Sequence, residues 1–192
     1  MQDIIWPGTT ERLIDGVVIH PLKVNADPRG SLVEMMRVDW SDLYHGESRP
    51  FTQTYYSVTK PGVARDEDRW HVHETQEDRF LVPQGDAVLA IYDGRANSPT
   101  RGILNLIPLG EALGPTGQRV VLVPIATLHA FVVVGDRPAT LINFPTRLYN
   151  PADEGRLPFT EAGATFADGR PFHWDVVRSH WSGLLSGTAS PT

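Results

Sequence analysis

The chain has 192 residues, with 17 Lys and Arg against 23 Asp and Glu and a formal net charge of -6. It has no cysteine, which excludes disulfides, thiolate nucleophiles and cysteine-ligated zinc or iron–sulfur centres. The charge balance, without a basic cluster, argues against nucleic acid as a partner, and the lack of a long apolar run argues against a membrane span. The stretch Met1 to Thr10 carries an acid and Pro-Gly where a signal peptide needs a basic and then an apolar stretch, so we expect a cytoplasmic protein.

Short apolar runs separated by turns rich in Gly and Pro fill the chain up to about residue 150, a pattern typical of β-strands. In chain order, strands are predicted at 17–19, 31–38, 51–59, 70–73, 80–82, 87–92, 103–109, 119–123, 130–134 and 139–144, with one helical turn at 38–44. Helical patterning appears only later, at 172–185. Strands at this spacing predict a β-sandwich or barrel, and no second domain is indicated.

Histidines provide the densest chemical signal in the sequence. His71 and His73 are two residues apart, so on a strand both imidazoles lie on one face. His129 follows a turn and precedes another apolar strand. Glu77 can reach the same place only if the chain folds back at residues 74–76, because six residues of straight strand span about 20 Å.

The pattern His-x-His-x3-Glu followed by Gly85, with Pro-x-Ala-x2-His later, resembles the two motifs of the cupin superfamily. This resemblance implies an all-β cupin jelly-roll barrel, as one domain over residues 1–192. The core would cover about 17–158, with a short helical C-terminal extension at 159–192. Many cupins hold a divalent metal between these motifs. The resemblance therefore leaves open a metal-dependent enzyme, in which Fe, Mn, Ni or Zn would be bound by His71, His73, Glu77 and His129, or a non-catalytic sugar-binding cupin.

A narrower resemblance covers nearly all of residues 17–174. The stretches at 27–30, 51–53, 92–95, 98–102, 129–131 and 149–154 are similar to those of the dTDP-4-dehydrorhamnose 3,5-epimerase family of deoxysugar enzymes. The resemblance implies an epimerase or ketoisomerase that acts on a nucleotide-linked 4-keto-6-deoxysugar, assembled as a homodimer. No organic cofactor is expected, because the ketone of the substrate itself acidifies the neighbouring C–H group.

Family resemblance also implies roles for individual residues. The family's base matches His71, whereas its acid, a Tyr on the strand after His129, falls at Asn143, which cannot protonate carbon. Asn143 or Arg69 is then expected to donate to the enolate, and His73 to assist proton transfer as in the related sugar 3,4-ketoisomerases. The residues that the resemblance implies for substrate binding are Arg29, for the diphosphate, and Gln53, Arg79, His129 and Tyr149.

Overall fold

The computed structural model describes residues 12–112 and 117–185, and side chains up to residue 182. The N-terminal stretch at 1–10 lies outside these ranges. The elements of the described ranges are β1 (Val18–Pro21), β2 (Val24–Asp27), β3 (Gly30–Val33), β4 (Tyr55–Thr59), β5 (Arg69–Val72), β6 (Asp78–Gln84), β7 (Asp86–Tyr92), β8 (Leu104–Gly110), β9 (Arg119–Val123), β10 (Leu128–Val134), β11 (Ala139–Asn143), β12 (Gly155–Pro158), α1 (Phe159–Ala162) and α2 (Trp174–Leu185).

Two five-stranded antiparallel sheets form the body of the protein. The first sheet has the order β1-β9-β6-β11-β4, and the second has the order β12-β5-β10-β7-β8. Strands β2 and β3 form a separate hairpin. This arrangement confirms the predicted all-β jelly-roll barrel. No helix in the described part of the chain is long and apolar enough to cross a membrane.

Every second side chain of the strands points inward, and these side chains fill the space between the two sheets. Val121 and Leu141 of the first sheet belong to the same buried cluster as Leu89 and Ile107 of the second. Burial of each such side chain contributes about 1.5–3 kcal/mol relative to exposure. The apolar interior gives way to buried polar residues where β5, β6, β10 and β11 meet, and these residues form the candidate site.

The outer face of the second sheet carries another core. Trp70 of β5 is fully buried there, with ring centroids 4.8 Å from Phe159 and 4.6 Å from Phe172. Trp174 and Trp181 of α2 complete this aromatic cluster, and the helix predicted at 172–185 is confirmed over Trp174–Leu185. Because neighbouring strand residues face opposite ways, Trp70 points to the helices while His71 points into the barrel.

Several strand boundaries differ from the prediction. The strand predicted at 51–59 begins only at Tyr55, because the hydroxyls of Thr52 and Thr54 donate to the carbonyls of Pro145 and Asn143, each at 3.0 Å, in place of a backbone ladder. The strand predicted at 31–38 ends at Val33. Strands β2 and β12 were not predicted, since both are short and rich in polar or turn-forming residues.

Candidate functional site

Three imidazoles meet at the barrel mouth. His71 of β5 lies directly opposite His129 of β10 in the antiparallel register, and their ring centroids are 5.3 Å apart. His73 follows β5, with its ring 4.5 Å from that of His71 and 6.0 Å from that of His129. The structure therefore brings the motif histidines together, as the sequence led us to expect.

Asp78, at the start of β6, is the carboxylate that meets this cluster. Its Oδ2 atom lies 3.3 Å from His129 Nε2 and 3.6 Å from His73 Nε2. Its Oδ1 atom accepts from the side-chain amides of Gln76 at 2.8 Å and Asn143 at 2.7 Å. Burial alone would raise the pKa of Asp78, but the proximity of both imidazoles and the hydrogen bond from Asn143 outweigh burial and lower it. The ionised carboxylate thus lies against two imidazoles of the cluster.

His71 has a free ring nitrogen. Its Nε2 atom is buried and has no hydrogen-bond partner, and the nearest carboxylate, Oε1 of Glu154, is 3.8 Å away. Burial, followed by the neighbouring His129 and His73, lowers the pKa of His71 to about 3. The imidazole is therefore neutral at physiological pH and has a ring nitrogen that is free to accept a proton.

Asn143 is fully buried and has every polar atom of its amide engaged. Its Oδ1 atom accepts from the backbone N–H of Arg79 at 3.0 Å. Its Nδ2 atom donates to Asp78 and, at 2.9 Å, to the hydroxyl of Tyr55. Sequence reasoning did not single out Tyr55, because only the pairing of β4 with β11 brings it opposite Asn143.

Glu77 faces away from the histidines, contrary to the metal-ligand set considered from the sequence. The chain does turn between β5 and β6, as that hypothesis requires, but strand alternation delivers Asp78 to the interior and leaves Glu77 on the outside. There the carboxylate forms a bidentate pair with Arg49, at 2.7 Å from Nε and 2.9 Å from Nη2. Glu77 is therefore not placed to share an ion with His71.

Arg79 and Arg69, which were predicted as site residues, make their contacts away from the histidine cluster. Arg79 is buried, and its guanidinium donates to four backbone carbonyls, those of Leu43, Pro50, Phe144 and Pro145. A ligand would have to displace these bonds to use its charge. Arg69 is exposed and pairs with Asp68 at 2.7 Å. The structure brings neither guanidinium into contact with the imidazoles.

The remaining predicted binding residues lie on the surface. Arg29 occupies the turn between β2 and β3, is exposed, and pairs with Asp27 at 2.6 Å. The Gln53 amide is 3.4 Å from the carbonyl of Arg147, and Tyr149 is largely exposed. The structure shows no contact between these side chains and the histidine cluster.

The segment after β11 closes one side of the site. The backbone carbonyl of Asp153 lies 3.0 Å from His73 Nδ1. Its carboxylate accepts from the backbone N–H groups of Glu74 at 3.1 Å and Thr75 at 3.0 Å. The neighbouring Glu154 approaches His71. Both acids lie in the stretch 149–154 that carried part of the family resemblance, so a signal for them was present in the sequence.

A divalent cation also fits the imidazole cluster. One ring nitrogen from each of His71, His73 and His129 lies within 4.8 Å of the other two. Neutral imidazoles suit Zn, Cu, Fe and Ni, and the buried Nε2 atoms of His71 and His129 have no hydrogen-bond partner. These three residues would hold the ion, with Asp78 as the adjacent carboxylate.

Comparison with known proteins agrees with this geometry. The family model for dTDP-4-dehydrorhamnose 3,5-epimerase matches residues 11–166. The chain is 43% identical over 149 residues to the probable low-salt glycan biosynthesis epimerase Agl13 of Haloferax volcanii, which covers 76% of this chain and 88% of that protein. It is 34% identical over 151 residues to the spore coat polysaccharide biosynthesis protein SpsL of Bacillus subtilis, covering 78% of this chain and 92% of that protein.

A solved structure of a sugar isomerase has the same fold as this chain. The dTDP sugar isomerase of Desulfovibrio desulfuricans G20 superposes with a TM-score of 0.67 at 26% identity, covering 81% of this chain and 96% of that one. The family match spans most of the barrel and includes every histidine of the cluster. The chain therefore belongs to the dTDP-4-dehydrorhamnose 3,5-epimerase family of isomerases that act on nucleotide-linked keto sugars, and it is a sugar epimerase.

Proposed function

We propose that the enzyme inverts a carbon next to the ketone of a nucleotide-linked 4-keto-6-deoxysugar, with His71 as the base. The observation that carries this proposal is the neutral imidazole of His71, whose buried Nε2 atom has no hydrogen-bond partner. A proton on a carbon beside a ketone is acidic enough for a positioned imidazole to remove, because the electron pair moves onto the ketone oxygen. His73, beside His71 and anchored by Asp153, would assist proton transfer.

Proton exchange tests the role of His71 directly. The wild-type enzyme, incubated with thymidine-diphosphate 4-keto-6-deoxyglucose in heavy water, should introduce deuterium at C3, C5 or both, which NMR detects. His71→Asn should slow this exchange by about 10²–10⁴-fold, the usual contribution of a positioned proton-transfer group. His45→Asn is the matched control, because His45 is exposed and contacts Ser48 rather than the site. Exchange at the wild-type rate in His71→Asn would contradict the assignment.

We further propose that the enzyme is a homodimer that binds the diphosphate with Arg29. Arg29 is exposed on the hairpin, and its guanidinium suits a diphosphate. Exposed apolar side chains lie nearby in sequence, with Leu32 63% and Val38 70% exposed, and such groups favour an interface. Sedimentation equilibrium should show a dimer that Leu32→Asp weakens, and Arg29→Ala should raise KM more than it lowers kcat. A monomeric wild type would contradict the dimer.

The imidazole cluster supports one alternative, a metal-dependent reaction. Elemental analysis of protein purified without added metal distinguishes the two. Stoichiometric Zn, Fe, Ni or Mn, lost together with activity on chelation, would favour the metal enzyme, whereas full exchange activity in metal-free protein would favour direct proton transfer by His71. The cytoplasmic location stays a prediction from the sequence, and cell fractionation measures it.

A further inference from the structure

The proposed function needs a second proton-transfer group. Inverting a carbon requires that one group removes a proton and another returns a proton to the opposite face. The family's tyrosine would come from the position of Asn143, and an amide cannot supply a proton to carbon. In addition, both hydrogens of that amide are already donated, to Asp78 and to Tyr55.

We propose that Tyr55 of β4 is the catalytic acid that protonates the enolate on the face opposite His71. This inference rests on the proposed function and names a residue of the same site. It follows from the strand register, the hydrogen bonds around the phenol and the position of β4 in the sheet that faces the one carrying His71.

The register places Tyr55 on the inner face of the first sheet. Residues directly opposite in an antiparallel pair project to the same side, and Tyr55 pairs with the buried, inward-facing Asn143. Tyr55 lies at the rim of the sheet and is itself 49% exposed, against 71% and 55% for its outward-facing neighbours Tyr56 and Val58. His71 belongs to the second sheet. A sugar bound between the two sheets would therefore meet the imidazole on one side and the phenol on the other.

Hydrogen bonding fixes the direction of the phenol. The Asn143 amide donates to the Tyr55 oxygen, and the same nitrogen donates to Asp78, which contacts His129 and His73. The phenol oxygen is thus two hydrogen bonds away from the carboxylate that lies beside the imidazoles. Since the oxygen accepts from Asn143, and no acceptor for its own hydrogen occurs within residues 12–112 and 117–185, that hydrogen is free to point at a ligand.

The electrostatic setting keeps the hydroxyl protonated. Burial raises the pKa of Tyr55 above 10.0, and the charges of Asp78 and Glu154 add to the effect. Glu154 is also the carboxylate nearest to His71 Nε2, at 3.8 Å. The phenol therefore enters the reaction in the form that can give up a proton.

The proton and electron balance of the step closes without a co-reactant. His71 takes the proton from carbon, and the C–H electron pair forms the enolate with its charge on the former ketone oxygen. The C=O bond then re-forms while the enolate carbon takes the Tyr55 hydroxyl proton on its other face. This leaves an imidazolium and a phenolate, and solvent carries one proton from His71 to Tyr55 to restore both.

Reversibility makes the two roles separable by experiment. In the forward direction His71 removes the proton from the substrate epimer. In reverse, a proton first passes from Tyr55 to His71 through solvent, and the resulting phenolate removes the proton from the product epimer. Deuterium exchange in heavy water is measured by NMR separately on thymidine-diphosphate 4-keto-6-deoxyglucose and on the product epimer collected from the wild-type reaction. Tyr55→Phe should keep exchange on the substrate epimer within about tenfold of the wild type. It should lower inversion, and exchange on the product epimer, by about 10²–10⁴-fold.

Tyr56→Phe is the matched control, because it removes a hydroxyl from the adjacent, outward-facing position; it should leave both exchange rates unchanged. The thermal melting temperature of each variant reports folding. Inversion at the wild-type rate in Tyr55→Phe, or an equal loss of exchange on both epimers, would overturn the assignment of Tyr55. Absence of exchange on either epimer with the wild-type enzyme would instead overturn the proposed function, and Tyr55 as acid with it.

Discussion

Glu77→Gln removes one charge from the ion pair with Arg49 while keeping the size of the side chain. The two side chains are 16% and 26% exposed, respectively, and share two contacts of 2.7 and 2.9 Å. Exposed pairs contribute about 0.2–1 kcal/mol, and breaking a fully buried pair costs about 3–5 kcal/mol. Because this pair has intermediate exposure, we expect Glu77→Gln to lower the free energy of unfolding by about 1–2 kcal/mol. For a chain of this length that lowers Tm by roughly 2–8 °C.

The catalytic consequence of the same change should be absent. Glu77 lies on the outer side of the first sheet, so deuterium exchange and metal content should match the wild type in Glu77→Gln. Asp78→Asn is the informative comparison, because the neighbouring carboxylate contacts His129 and His73, and its loss should slow exchange by at least tenfold. Calorimetry measures Tm, and NMR measures exchange. A Glu77→Gln enzyme with unchanged Tm but lost exchange would refute the placement of Glu77 outside the site.

Two further predictions concern stability. Gly85→Ala should lower the free energy of unfolding by more than about 2 kcal/mol, because φ is +74° and a Cβ atom would lie 2.6 Å from the Ala139 Cα atom. Gly62→Ala, where φ is +72° but the space is open, should lower it by only about 1 kcal/mol. Chemical denaturation measures both. Burial alone would raise the pKa of Asp93, but hydrogen bonds, led by that from Arg95, hold it well below 3.8. Its stabilisation is therefore complete above about pH 4 and is lost as the pH falls further, so Asp93→Asn should unfold more easily than the wild type at pH 7 and match it near pH 1.

The barrel and its histidines were predictable because both depend on local periodicity. His71 and His73 keep the two-residue spacing of a strand, and turns rich in Gly and Pro separate the apolar runs. Assigning the acid of the cluster failed because residues 73–77 leave the strand before β6 begins. The alternation of inward and outward side chains is interrupted by an irregular turn. Counting residues from His71 therefore cannot show whether Glu77 or Asp78 faces inward.

Tyr55 illustrates a different limit. Its sequence neighbourhood is an ordinary strand of alternating residues, and nothing local distinguishes it from Tyr56. Its importance arises from pairing with Asn143, a residue 88 positions away, and strand register over such a distance is decided by the whole fold. The carbonyls that occupy Arg79 likewise come from separate segments of the chain. From the sequence we therefore expected Arg79 to bind substrate, whereas in the structure its guanidinium donates to backbone carbonyls of the fold.

Trp70 and His71 are consecutive residues on β5, one packed against the C-terminal helices and the other at the barrel mouth. The aromatic cluster outside the second sheet is thus built on the residue next to the histidine that we propose takes the proton. For protein engineering, the segment 159–182 cannot be treated as a removable appendage. A version shortened to the barrel strands would expose Trp70 to water and free the strand that carries His71, so expression boundaries and fusion partners belong beyond α2.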